Sequence, residues 1–288
     1  MNHENVPSIE IIDPAMQSIV DPQATFERIA SDMKFTEGPV WLPKTQEWVF
    51  SDIPASTMYA WTQATGLRVF RQPSNQANGN TVDREGRLIT CEHESRQVTR
   101  TEPDGAITVL ATHHAGGRLN SPNDVVVKSD GSIWFSDPPY GLAKRPKEQA
   151  GNYLYRLDPG ATEPVPVVTD CLMPNGLCFS PDEKLLYVAD SSERLHHIRR
   201  YRVTAANTVE DDGVFTIVSP HCPDGIRVDR QGRLYSTAGD GVQVFRPDGT
   251  MIGKFRMPQV AANCCIGGPD GKELLITATS SVWLVGLR

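Results

Sequence analysis

From Phe35 onward the chain alternates short apolar runs with polar turns in one recurring order. Each unit has a polar anchor, a β-branched or aromatic run, a turn carrying Pro, Asp or Gly, and a second apolar run. FTEGPVWLPKTQEWVFSD opens the series, and ANGNTVDREGRLITCEH and SPNDVVVKSDGSIWFSD follow. MPNGLCFSPDEKLLYVAD, CPDGIRVDRQGRLYSTAG and ANCCIGGPDGKELLITAT complete it. Such runs, bounded by turn residues, predict β-hairpins. The anchors Glu37, Asn78, Asn123, Asn175, Asp224 and Asn263 stand 41, 45, 52, 49 and 39 residues apart. That period suits a four-stranded propeller blade and exceeds leucine-rich or β-helix repeats.

Further strand candidates lie between the hairpins, such as Met58 to Thr62 with Leu67 to Arg71 and His197 to Val203 with Val214 to Val218. The sixth unit has only three strands before the chain stops, at Cys264 to Gly267, Glu273 to Ala278 and Val282 to Leu287. Ala24 to Ile29 is expected to supply its outer strand and close the ring, removing an exposed sheet edge. The fold class expected is therefore all-β, a six-bladed β-propeller over residues 21–288. Residues 1–20, polar and proline-containing, are expected to be an N-terminal tail or strap. A β-sandwich has similar strand density but no forty-residue repeat.

Composition narrows the function classes. The 288 residues carry a formal charge of −7, which argues against nucleic acid or an anionic membrane as partner. Gly (23) and Pro (22) are plentiful, as many short strands require. The six cysteines show no Cys-x-x-Cys spacing, and two are adjacent, which suits a reduced thiol set better than a disulfide framework. The N-terminus lacks a basic region followed by an apolar core, so a cytoplasmic protein is the expectation.

In a propeller the innermost strand of every blade lines a central channel, so like-phased anchors point into one space. The second strand returns antiparallel, which brings Asp52, His93, Asp137 and Asp190 behind or beside the anchors. A ring of two carboxylates and four amides is costly to bury without a partner. A hard divalent cation is the simplest one, and Ca2+ accepts six to eight oxygen ligands in irregular geometry. With neither His nor Cys among the anchors, tetrahedral structural zinc is disfavoured. Any single Asn-Gly or Asp-Gly could instead be an ordinary turn dipeptide. Six in phase, with Glu at position 37, argue otherwise.

Glu37-Gly38-Pro39, Asn78-Gly79, Arg118-Leu119-Asn120-Ser121-Pro122-Asn123-Asp124, Asp137-Pro138-Pro139-Tyr140-Gly141, Pro174-Asn175-Gly176 and Pro223-Asp224-Gly225 together resemble the senescence-marker-protein/gluconolactonase family of calcium-dependent propeller hydrolases. The resemblance spans about residues 25–288. It implies that Glu37, Asn123, Asn175 and Asp224 hold a catalytic metal, with Ca2+ ranked first on oxygen-only ligation and Zn2+, Mg2+ or Mn2+ also accepted. It places Asn78 and Asn263 near the substrate or behind the ligands. The reaction implied is hydrolysis of a sugar or related lactone, with the metal polarising the carbonyl for attack by water.

Asp224, following the family, and His93, whose ordinary pKa suits proton transfer near neutrality, are both candidates for the base. Arg118, in a loop expected to overhang the mouth, could hold lactone hydroxyls or a carboxylate. Tyr140 could cap the pocket or serve packing. The pairs His113-His114 and His196-His197 are read as surface residues away from the mouth. There is no Gly-x-Ser-x-Gly elbow and no phosphate-binding loop. A phosphotriesterase or arylesterase on the same cation, or a ligand-binding propeller without chemistry, remain as alternatives.

Overall fold

The computed structural model describes residues 6–288. It is an all-β ring of six antiparallel sheets, as the repeat predicts. The first blade runs Thr36–Leu42, Glu47–Asp52, Thr57–Thr62 and Gly66–Arg71, from the channel outward. The innermost strands of the next four blades are Ala77–Val82, Val125–Val127, Pro174–Phe179 and Ile226–Val228. The sixth blade is built from Ala261–Gly267, Glu273–Ala278 and Ser281–Gly286. Its outer strand is Phe26–Ala30, paired antiparallel with Ser281–Gly286, so the ring closes with the N-terminal strand expected to do it.

The apolar core is divided among the blades. Six buried clusters each join two neighbouring blades. Strand Leu185–Asp190 shows why. Leu186 and Val188 pack toward the third blade, while Tyr187 and Ala189 pack toward the fifth. Successive side chains on a strand point to opposite faces. A sheet covered on both faces therefore reads as a continuous apolar run, which accounts for WVF, LITC, IWF and LLYVA in the second strands.

Within the segment expected to be a tail or strap, residues 8–20 have a definite seat. Ser8–Ile11 adds a fifth strand to the fifth blade, pairing antiparallel with Met251–Arg256. A 3-10 helix at Pro14–Ser18 follows, its first turn capped by Asp13 Oδ1, which accepts from Ala15 N–H at 2.8 Å. Met16, Ile19 and Val20 are buried in the cluster between the fifth and sixth blades.

Candidate functional site

Two backbone devices aim the anchors. In the first, second, fourth and sixth blades the innermost strand slips register at or beside its anchor: between Glu37 and Val40, Ala77 and Asn80, Pro174 and Leu177, and Ala261 and Asn263. A bulge turns a side chain out of the regular alternation, here toward the channel mouth. The second device is the glycine after an anchor. Gly79 N–H donates to Asn123 C=O at 2.8 Å, and Gly176 N–H donates to Asp224 C=O at 3.1 Å. A Cβ on Gly79 would stand 2.4 Å from Asn123 O, and one on Gly176 would stand 2.3 Å from Asp224 O. Asn-Gly is here a joint between blades and not a turn.

The side chains form a continuous chain around the mouth. Asn78 Nδ2 donates to Asn123 Oδ1, and Asn123 Nδ2 donates to Asn175 Oδ1 at 2.5 Å. Asn175 in turn lies beside Asp224 and favours its charged form. Across the ring, Glu37 Oε2 accepts from Asn263 Nδ2 at 2.9 Å and from Gly38 N–H at 2.5 Å. Glu37, Asn78, His93, Asn123, Asn175 and Asp224 all line one cavity of about 830 Å³.

Its electrostatics follow from burial. Desolvation, with the Asp124 charge added, pushes Glu37 from an ordinary 4.5 up to about 7, against the pull of Asn263, Gly38 N–H and Arg227. Desolvation and the charges of Glu37 and Asp124 push Asp224 upward as well. Arg227, whose charge acts on Glu37, is engaged by Asp124 at 3.0 Å. The carboxylates of Glu37 and Asp224 and the side-chain amides of Asn123 and Asn175 thus line one space, with no Lys or Arg among the described residues that line it. That donor set fits a hard cation with oxygen ligands. Among the described residues no three His, Cys, Asp or Glu side chains converge at metal distance, so amides would have to complete any such shell.

Other candidates fall in several places. His93 is buried, with Nε2 3.1 Å from Asn78 Nδ2 and 3.2 Å from Asn123 Oδ1. Burial holds its pKa down at about 4, so its imidazole is neutral at working pH. Tyr140 sits at the rim, 45% exposed, and burial of its hydroxyl with the Asp224 charge nearby raises its pKa. Asn263 does not line the cavity, because its amide is turned onto Glu37 from behind. Arg118 does not overhang the mouth. It is not among the residues lining the cavity; its guanidinium donates to Ser95 C=O at 2.6 Å and its backbone N–H to Glu148.

Asp52 and Asp190 serve the interblade loops. Asp52 accepts Lys34 and Phe35 N–H at 3.0 and 3.1 Å, and Asp190 accepts Leu172, Met173 and Ser192 N–H. Asp137 does the same for Asn120 N–H at 2.7 Å.

The reading of His196-His197 as surface is corrected. His196 lines the cavity and His197 is buried at the start of a strand. Sequence reasoning also missed Phe35, Ile53 and Met173, and the polar Glu193, His221 and Cys222, all lining the cavity. They belong to loops, which carry no periodicity to betray them. The one available signal was adjacency to a strand-end aspartate or to an anchor.

The chain is similar to known proteins over most of its length. The family model described as SMP-30/Gluconolactonase/LRE-like region matches residues 35–280. The gluconolactonase of Zymomonas mobilis is 31% identical, with the match covering 98% of this chain and 86% of that protein. The pentonolactonase of Haloferax volcanii is 26% identical over 86% of this chain and 83% of its own length. A solved gluconolactonase from Xanthomonas campestris superposes with a TM-score of 0.93 at 34% identity, covering 98% of this chain and 97% of that one.

Proposed function

The chain belongs to the SMP-30/gluconolactonase/LRE-like family, and from that premise we propose that it opens a sugar-derived or related lactone by hydrolysis in the cavity at the channel mouth. The observation that carries the reading is the pair of the buried Glu37 and the half-buried Asp224, lining one space with Asn123 and Asn175. These four residues would hold one divalent cation, with Ca2+ ranked first for oxygen donors. Bound there, it would supply Lewis-acid polarisation of the lactone carbonyl, a contribution of several kcal/mol.

The chain's own residues do the rest. Asp224, partly open to the cavity, takes the proton of the attacking water. Burial and the Glu37 charge raise its basicity in the cation-free protein, opposite in sign to the lowering a bound cation would bring. The ester C–O bond then breaks, and the proton passes to the departing ring oxygen, giving the hydroxy acid. His93, neutral and wedged against the Asn78 and Asn123 amides, orients them. Asn263 and Gly38 N–H fix Glu37.

Acid release from a panel of lactones, with and without chelator, tests the reading. Chelator-sensitive turnover is expected for the wild type. Asp224→Asn should lower kcat at least a hundredfold, the usual reach of general base catalysis, and His93→Asn less. Folded protein that turns over aryl esters or phosphotriesters but no lactone would move the assignment to those classes. No turnover of any kind would leave a binding propeller.

A further inference from the structure

In a ring of six, the first and fourth blades face each other across the axis, and the cavity walls they supply differ in chemistry. Phe35 and Ile53, flanking the first blade's inner hairpin, make one wall apolar. The facing wall comes from the loop after the second strand of the fourth blade and the loop entering the fifth. It carries Ser191, Ser192, Glu193, His196, His221 and Cys222.

The two histidines share a backbone peculiarity. His196 has φ of 46° and His221 has φ of 65°, and among the described residues that line the cavity these two alone have a positive φ. Left-handed backbone at a residue other than glycine is strained and persists only where surrounding structure holds it. It is held here. His196 C=O accepts Val218 N–H at 2.7 Å, its own N–H donates to Ser192 C=O at 3.3 Å, and Gly239 N–H donates to Pro220 C=O at 2.8 Å beside His221. His221 packs so closely on Gly239 that a Cβ there would lie 2.9 Å from its own. Cys222 Sγ lies 3.2 Å from His221 Nδ1, which engages that side of the ring. Two independent loops thus spend backbone strain to present imidazoles to one cavity.

We infer that His196 and His221 form a recognition wall that reads the hydroxyl groups of the substrate, while the Phe35 and Ile53 wall takes its C–H face. The inference rests on the lactonase reading above and adds to it a specificity: a polyhydroxylated lactone is selected over an alkyl lactone of the same ring size. Both imidazoles are suited to this. Neutral imidazole offers one donor and one acceptor, and at His221, whose Nδ1 is engaged by Cys222, it is Nε2 that is left to pair with a hydroxyl. A site built to hydrogen-bond hydroxyls discriminates against analogues lacking them because its polar groups are then left unpaired.

The test compares kcat/KM for glucono-1,5-lactone with that for δ-valerolactone in wild type, His196→Ala, His221→Ala and the corresponding Asn variants. Asn tolerates a left-handed backbone and restores a hydrogen-bonding group. Each Ala variant should lower the polyol-to-alkyl ratio about three- to tenfold, the reach of one lost hydrogen bond, mainly through KM. The Asn variants should recover part of it. A ratio unchanged in both Ala variants, with native circular dichroism, overturns the inference while leaving lactone hydrolysis standing. Calorimetric binding of glucono-1,5-lactam, which does not turn over, separates the two claims. If wild type hydrolyses no lactone but binds the lactam more tightly than the Ala variants, the wall stands and the reaction falls. Equal lactam binding by all forms overturns the wall.

Discussion

Glu37 is the residue on which the site's response to pH turns. In the cation-free protein its carboxyl is raised from 4.5 to about 7, so between those values the folded chain holds a proton that the unfolded chain has lost. Stability from this group is full below about 4.5 and is lost as pH rises through 7. Asp137, raised from 3.8 to about 7 by burial, acts in the same direction. His93, lowered from 6.5 to about 4, acts oppositely, costing stability as pH falls from 6.5 toward 4. A cation bound by Glu37 must displace its proton. The rise in Tm on adding Ca2+ should therefore be small at pH 5 and large at pH 8, and Glu37→Gln should abolish it; a rise independent of pH would detach the ion from Glu37. The six anchors were legible because phase is visible in a sequence. Their division of labour was not. Asn263 stands in the same phase as Asn175, yet its amide is spent on Glu37 from behind, a difference of side-chain direction that spacing does not encode. Arg118 was misplaced for the same reason: a loop arginine goes where acceptors are, here Ser95 C=O.

At the scale of the element, the joints between blades are expected to couple metal affinity to backbone packing. Gly176→Ala places a methyl 2.3 Å from the Asp224 carbonyl oxygen, so the fourth and fifth blades must part where their anchors meet. Calcium affinity should fall at least tenfold by titration calorimetry, with far-ultraviolet circular dichroism still β-rich; affinity equal to wild type would show the joint to be slack. The strand-end aspartates predict something different. Asp190→Ala strands three backbone N–H groups in the loops that carry Met173 and Ser192 into the cavity. An unpaired buried group costs about 1–3 kcal/mol, so thermal unfolding should come several degrees lower. KM should rise more than kcat falls, since the loop and not the anchors is disturbed. Unchanged KM would mean that the loop is held by other contacts. The hairpins themselves were read correctly because both faces of each blade are buried and leave an apolar run. Ser8–Ile11 escaped because SIEI is a short edge strand whose partner lies some 240 residues away, and nothing local distinguishes it from a strap.

At the scale of the whole molecule, the ring has no hub except the channel, and each apolar cluster is shared by two blades. Stability therefore depends on closure. Phe26–Ala30 is the strand that covers the edge of Ser281–Gly286, and Ile29 and Ala30 enter the cluster between the last blade and the first. Ser8–Ile11 only widens a blade that already has four strands. Two truncations separate these roles. Removing residues 1–11 should lower Tm modestly and leave a monodisperse, active protein. Removing residues 1–30 also takes Met16, Ile19 and Val20 from the core and bares the edge of the sixth blade, so aggregation in light scattering is expected. An intermediate removal of residues 1–24 distinguishes lost burial from the bared edge, because it deletes the three core side chains but spares the closing strand. If the shortest and longest truncations behaved alike, closure would not be what holds the ring. Because Glu37 and Asn263 sit on the two sides of that seam, the 1–24 form should also show whether the site survives a loosened ring: its calcium affinity should stay near wild type while its Tm falls.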